Sequence, residues 1–134
     1  MDPNDRGLER AYWTLRIGLG LGAFLAGLDK YFDLLANWSM YLSPGAERLL
    51  PVSTDTFFHL VGVIEMAAGL LVLSKWTRIG AAIVAIWLLA IAVQLVAGGM
   101  FYDLAVRDTE MALGAFALFQ LAAWHDARLV RAGA

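Results

Sequence analysis

The amino-acid sequence predicts an all-α integral membrane protein, an antiparallel four-helix bundle that forms one domain (residues 1–134) with both termini in the cytoplasm. Three observations lead to this prediction. Hydrophobic residues make up 60% of the chain and charged residues only 16%, too little charge to cover the surface of a soluble domain. The apolar residues fall into four runs of nearly the length that a bilayer requires. Basic residues gather on one side of the resulting topology.

The four apolar runs cover residues 12–35, 56–73, 77–96 and 104–124. Each is close to the ~20 residues that a helix needs to cross the hydrocarbon core, and a helix satisfies its own backbone hydrogen bonds there. Short connections join the last three runs, so we expect consecutive helices to be antiparallel neighbours. A longer outer segment, residues 36–55, contains turn signals at Pro44-Gly45 and Pro51.

The distribution of basic residues sets the predicted orientation. Seven of the ten lie on the side that holds both termini: Arg6, Arg10, Arg16, Lys75, Arg78, Arg128 and Arg131. The other three are Lys30, Arg48 and Arg107. Because segments rich in Lys and Arg stay in the cytoplasm, both termini are predicted to be cytoplasmic.

The residue inventory excludes several kinds of site. The chain has no cysteine, which excludes disulfides, thiolate metal sites and cysteine nucleophiles. Its two histidines, His59 and His125, are expected at opposite membrane faces, too far apart for a bis-histidine haem and too few for a transition-metal site. No nucleophile–base set or phosphate loop occurs, and no basic stripe fits nucleic acid. We expect no metal, no intrinsic cofactor, no nucleic-acid partner and no catalytic activity of the chain alone.

Glu65 is the most informative residue, because it lies near the middle of the second apolar run. A carboxyl group at this depth must face protein or water, and it must be neutral or paired. Lys30, near the outer end of the first run, is the best-placed cation, and Arg16 is the second. Three roles remain open for Glu65: a hydrogen bond to a neighbouring helix, a ligand or proton site, and an unpaired group that faces lipid.

Each predicted helix carries a stripe of small and polar residues, and we expect the four stripes to face one another. The small residues expected at helix contacts are Gly20, Ala23, Gly27, Gly62, Gly69 and Gly114. The polar residues on these stripes are Arg16, Lys30, His59, Glu65, Gln94, Arg107 and Glu110. Gln94 can join helices or contact a ligand. The result is a bundle whose polar interior opens outward.

A quinone site is chemically conceivable in the outer half of such a bundle. It needs an apolar slot for the ring and tail, and a donor or proton relay at each carbonyl. His59, Glu65 and Lys30 could supply the polar groups, with Phe58 or Trp87 as walls. Both aromatic residues could equally serve helix packing or lipid contact.

Several short motifs resemble the DoxX-like family of small four-helix membrane proteins. They are LRIGLG and FLAGLDK within residues 15–30, GVIEMAAGLL at residues 62–71 and YDLAVRD at residues 102–108. The resemblance implies a multi-pass protein of the bacterial cytoplasmic membrane. It also implies that the polar positions of the family are Arg16, Lys30, Glu65, Arg107 and Asp108 in this chain. The outer segment, residues 36–55, matches no motif of the family.

The same resemblance leaves function open, because family members act in different ways. Some are similar to the membrane subunit of thiosulfate:quinone oxidoreductase, and others are membrane anchors or assembly chaperones. The first hypothesis is a non-catalytic subunit or anchor of a larger membrane complex with a redox role, whose partners are the bilayer and other membrane or membrane-associated subunits. The alternative is a quinone-binding subunit of a thiosulfate:quinone-type oxidoreductase. A small transporter or an assembly chaperone is a third hypothesis.

Overall fold

The computed structural model describes residues 2–133, and helices are the only regular secondary structure in that range. They are α1 (Pro3–Asp29), a 3-10 helix (Trp38–Tyr41), α2 (Pro44–Arg48), α3 (Thr54–Leu73), α4 (Thr77–Ala97) and α5 (Tyr102–Arg131). Three of the described helices, α1, α3 and α4, are long and apolar enough to cross a membrane. The predicted all-α fold with membrane-length helices is therefore confirmed.

The four long helices contact one another in chain order: α1 packs on α3, α3 on α4 and α4 on α5, and α5 also contacts α1. The α1/α3 and α4/α5 contacts are the most extensive. Tyr12 of α1 stacks on His125 of α5 at 4.2 Å between ring centroids, and its hydroxyl donates to Thr77 of α4 at 3.4 Å. Both chain ends and the α3–α4 turn therefore lie together, at what we call the termini end. The opposite end, which holds residues 30–53, is the loop end.

Glycines allow the backbones of α1 and α3 to approach closely. Gly27 lies against Gly62, and Gly20 lies against Gly69. A β-carbon added to Gly27 would stand 2.5 Å from the carbonyl oxygen of Gly62, and one added to Gly69 would stand 2.6 Å from that of Gly20. No side chain fits at such distances, so these four glycines set the separation of the two helices.

The two other small residues of the predicted stripes have different surroundings. Ala23 is half-buried and lines the cavity described below. Gly114 has room for a side chain, because an added β-carbon would meet only Leu15 Cδ2, at 4.0 Å. Gly80, which the sequence pattern did not single out, does need to be glycine, since an added β-carbon would stand 2.6 Å from the backbone nitrogen of Val72.

Helix α1 begins at Pro3 rather than at residue 12, and it ends at Asp29 rather than at residue 35. Asp2 caps its start by accepting a hydrogen bond from the backbone of Asn4, with Pro3 in the first turn. At the other end, the Asp29 carboxylate accepts the backbone N–H groups of Leu34 and Leu35 at 2.9 and 2.8 Å. These bonds fix a turn where the apolar sequence alone predicts a longer helix.

Helix α5 also exceeds its predicted range of 104–124, and it turns a different face inward. Its buried residues are Ala105, Ala112, Ala115, Leu118 and Ala122. Arg107 and Glu110, which the predicted stripe places inside, are exposed. A row of alanines lets α5 lie close to α4, and this packing outweighs the polar pattern that suggested the other face. Asp108 is the half-buried acid beside this row.

Two hydrophobic clusters divide the molecule along its length. All four long helices contribute to the larger one, which includes Tyr12, Ala68, Val72, Ala81, Val84, Ala115 and Leu118. The smaller one, towards the loop end, contains Ala92, Leu95 and Ala105 of α4 and α5. The α1/α3 pair and the α4/α5 pair thus share a core near the termini end, whereas buried residues of α1 and α3 do not join the second cluster.

We predict that Gly27→Ala destabilises the protein by about 1–3 kcal/mol or more, because the added methyl forces α1 and α3 apart. Thermal unfolding in a mild detergent measures the effect. Gly22→Ala on the same helix is the control, because nothing lies within 4 Å of its added β-carbon. Equal melting temperatures for the two variants would contradict the close contact.

Candidate functional site

A cavity of about 480 Å³ extends from the middle of the molecule towards the loop end. All four long helices and the segment between α1 and α3 contribute to its wall. Most lining residues are apolar, among them Phe57, Phe58, Val61, Leu88, Ile91 and Met111. The polar and amphipathic lining residues are Lys30, Trp38, Tyr41, Glu65, Trp87, Gln94 and Asp108. An apolar cavity with a few polar groups is the usual form of a small-molecule site.

Lys30 and Glu65 form a buried ion pair in the cavity wall. Lys30 Nζ lies 2.6 Å from Glu65 Oε2, and the two side chains are 5% and 9% exposed. Trp87 Nε1 of α4 donates to the other carboxylate oxygen, Oε1, at 3.0 Å. Glu65 therefore joins three helices, with a partner on each oxygen. The alternative of an unpaired Glu65 facing lipid is wrong.

The ion pair depends on the close approach of α1 and α3. Lys30 follows Gly27 by one helical turn, while Glu65 follows Gly62 on the antiparallel helix, so the two residues lie at different depths. The Lys30 side chain bridges the difference by running back along α1, where Nζ also reaches the carbonyl oxygen of Ala26 at 3.4 Å. This direction is the one that helical side chains favour.

Trp38 covers the ion pair from the loop end. Its ring centroid lies 3.8 Å from Lys30 Nζ, a cation–π contact. Trp38 Nε1 donates to Asp29 Oδ2 at 2.9 Å, and Asp29 is only 6% exposed. Sequence reasoning placed Asp29 at the outer rim but missed its burial and its contact with Trp38. Two features of the sequence could have indicated this contact. Asp29 lies towards the end of an apolar run, and Trp38, whose ring N–H can donate a hydrogen bond, follows in the next loop.

Gln94 attaches the loop-end segment to α4. Its side-chain Oε1 accepts the backbone N–H of Ser43 at 2.7 Å, and its Nε2 donates to the carbonyl oxygen of Tyr41 at 3.1 Å. The amide lines the cavity but holds backbone groups on both sides. Of the two roles open to Gln94, the structure places it in a joining role, between a helix and a loop rather than between two helices.

Asp108 lines the same cavity from the opposite helix pair. It is half-buried, and it lies near enough to Glu65 and Lys30 to interact with both charges. Within residues 2–133, no hydrogen bond or ion pair joins its carboxylate to another group. Because no buried side-chain oxygen of the described residues lacks a partner, the Asp108 oxygens are accessible from the cavity or from solvent. Asp108 is thus the acid of the cavity whose hydrogen-bonding capacity is unused.

His59 and Arg107 are two of the three predicted site residues that lie outside the cavity, and the third, Arg16, lies at the termini end. His59 is exposed and stacks on Tyr31 at 4.5 Å between ring centroids. Tyr31 also donates a hydrogen bond to the backbone oxygen of His59 at 2.9 Å. Arg107 is exposed at the start of α5. Neither side chain can therefore contribute to a site formed around Glu65.

Arg16 lies at the termini end and caps helix α3. Its guanidinium donates to the carbonyl oxygens of Val72, Leu73 and Ser74 at 3.2, 2.7 and 2.9 Å. The last carbonyls of a helix have no intrahelical partner, so these bonds satisfy groups that lipid could not. Arg16 is a structural residue here and not a partner of Glu65.

No protein-family model matches this chain, and neither a curated protein nor a solved structure is significantly similar to it. The resemblance to the DoxX-like family therefore rests on the short motifs alone and stays a prediction. Evidence for a function of this protein therefore lies in the cavity and its side chains.

We predict that Glu65→Leu destabilises the protein by roughly 3–5 kcal/mol, because it leaves Lys30 charged and buried without its partner. Lys30→Met combined with Glu65→Leu should recover much of that loss, since apolar residues of similar size often replace a buried ion pair at little cost. Unfolding by denaturing detergent measures both. A double variant no more stable than Glu65→Leu would show that the pair is not the source of the effect.

Proposed function

We propose that the chain crosses the membrane four times, as a bundle with both termini in the cytoplasm. Three membrane-length helices support this, and α5 packs along one of them. Exposed apolar residues cover both α4 and α5: Ile86, Val93, Leu113 and Phe116 are each more than half exposed. Such a surface is costly in water and suits contact with lipid. Seven of the ten basic residues lie at the termini end, which supports a cytoplasmic location for that end.

Single cysteines test this topology, because the chain has none of its own. Gly45→Cys at the loop end should react with a membrane-impermeant maleimide in intact cells. Ala132→Cys at the termini end should react only after permeabilisation. Both sites are exposed, so labelling reports the side of the membrane. The reverse pattern would overturn the proposed orientation.

We further propose that the protein is a non-catalytic subunit of a membrane redox complex and that it binds a quinone-type ring in its cavity. The observation that carries this proposal is the apolar cavity, which has aromatic walls and a fully paired acid at mid-depth. Gly18 and Gly22 leave part of the α1 wall without side chains, which provides space for a ring. Lys30 and Glu65, two of the three groups considered for a quinone, lie in the wall. Electron transfer itself would need a partner subunit, since the described residues offer no metal-ligand cluster.

A short-tailed benzoquinone should bind to the protein in nanodiscs and quench its tryptophan fluorescence, because Trp38 and Trp87 line the cavity. Gly22→Leu should weaken binding about tenfold or more, since the new side chain fills space that the ring needs. Gly7→Leu is the matched control, with open space around it and no contact with the cavity.

Equal affinities for the Gly22→Leu and Gly7→Leu variants would show that quenching comes from quinone dissolved in lipid and would overturn the binding role. The subunit role has a separate test. Affinity purification from native membranes should recover a stoichiometric protein partner, and a monodisperse lone chain would count against it.

A further inference from the structure

We infer that the cavity selects a ring molecule that donates a hydrogen bond to Asp108, and therefore binds a hydroquinone in preference to the corresponding quinone. The inference rests on the proposed function, because it concerns the ligand of the same cavity. It adds the hydrogen-bonding character of that ligand and the residue that recognises it. The preference follows from which donors and acceptors of the cavity wall are already engaged.

The strongest donors of the cavity wall are in use. Trp87 Nε1 donates to Glu65 at 3.0 Å. The Lys30 ammonium contacts Glu65 at 2.6 Å and the carbonyl oxygen of Ala26 at 3.4 Å, and its remaining side faces the Trp38 ring. Trp38 Nε1 donates to Asp29. A quinone has carbonyl acceptors and no donor, so it finds these groups occupied.

Gln94 and Tyr41, which can both donate and accept hydrogen bonds, do not favour one form of the ring over the other. Gln94 uses its oxygen and one of its two N–H groups on the backbones of Ser43 and Tyr41. Its second N–H can donate to a quinone carbonyl or equally to a hydroquinone oxygen, so it favours neither form. The Tyr41 hydroxyl can donate as well as accept, so it does not discriminate between the two forms of a ring. A preference for one form of the ring must therefore come from a group that only donates or only accepts hydrogen bonds.

Asp108 is such a group. In its ionised form, which neutral to alkaline pH favours, its carboxylate only accepts hydrogen bonds, and no described residue donates one to it. The charged lining residues are one lysine and two acids, and the lysine is paired with Glu65. Lys30 attracts Asp108 at longer range but is bonded to Glu65, so no cation of the cavity wall is paired directly with Asp108. A phenolic O–H donated to it forms a charge-assisted bond, whereas a quinone carbonyl would face another acceptor.

Three probes with one ring test the inference under anaerobic conditions: trimethylhydroquinone, trimethylbenzoquinone and the dimethyl ether of the hydroquinone. Equilibrium dialysis against protein in nanodiscs gives each affinity after subtraction of empty nanodiscs. The hydroquinone should bind roughly tenfold or more tightly than the other two, which cannot donate. Equal or tighter binding of the quinone would overturn the inference while leaving the proposed function intact. Failure of all three probes to bind would overturn both.

The Asp108→Asn variant tests whether Asp108 is the residue that causes the preference for hydroquinone. The amide keeps the shape but adds a donor, so the preference for hydroquinone should fall to within about threefold, with quinone affinity unchanged or improved. Asp103→Asn on the same helix is the control, since Asp103 is exposed and outside the cavity, and the full preference should persist there. An unchanged preference in folded Asp108→Asn would overturn the inference. Should that variant fail to fold, the three-probe comparison on the parent protein still decides it.

Discussion

The close approach of α1 and α3 is the constraint on which the rest of the structure depends. No hydrophobic drive favours helix association within lipid, so backbone contact must replace it. The Gly27–Gly62 and Gly20–Gly69 contacts provide this along two turns of each helix. They bring Lys30 within reach of Glu65 at one end and Arg16 within reach of the last carbonyls of α3 at the other. Lys30 and Arg16 thereby both find hydrogen-bond partners within the protein.

The cavity exists because the second helix pair does not follow the first along its whole length. Near the termini end, α4 and α5 share a core with α1 and α3. Farther along, the buried apolar cluster belongs to α4 and α5 alone, and Trp87 with Glu65 and Gln94 with the loop-end segment connect the pairs. Polar side chains therefore hold the walls apart at a fixed distance while they line the space between them.

Much of this arrangement was predictable from the sequence, and the exceptions have physical reasons. The apolar runs identified the long helices, and depth alone indicated Lys30 as the partner of Glu65. The inward face of α5 was not predictable from its polar stripe, because alanine packing against α4 decided it and Arg107 remained outside. His59 was predicted to share a helix face with Glu65, but six residues at ~100° each place the two side chains about 120° apart. His59 is accordingly exposed beside Tyr31 while Glu65 is buried.

The segment that closes the cavity at the loop end has an unusual balance of contacts. Side-chain hydrogen bonds from Asp29 and Gln94 hold it on its inner side. Leu34 and Leu49, both 84% exposed, have no protein surface to cover them. In the proposed topology these leucines would enter the lipid headgroup region. The bilayer would then hold from outside the segment that Asp29 and Gln94 hold from inside, so the position of the residues that close the cavity would respond to the surrounding lipid.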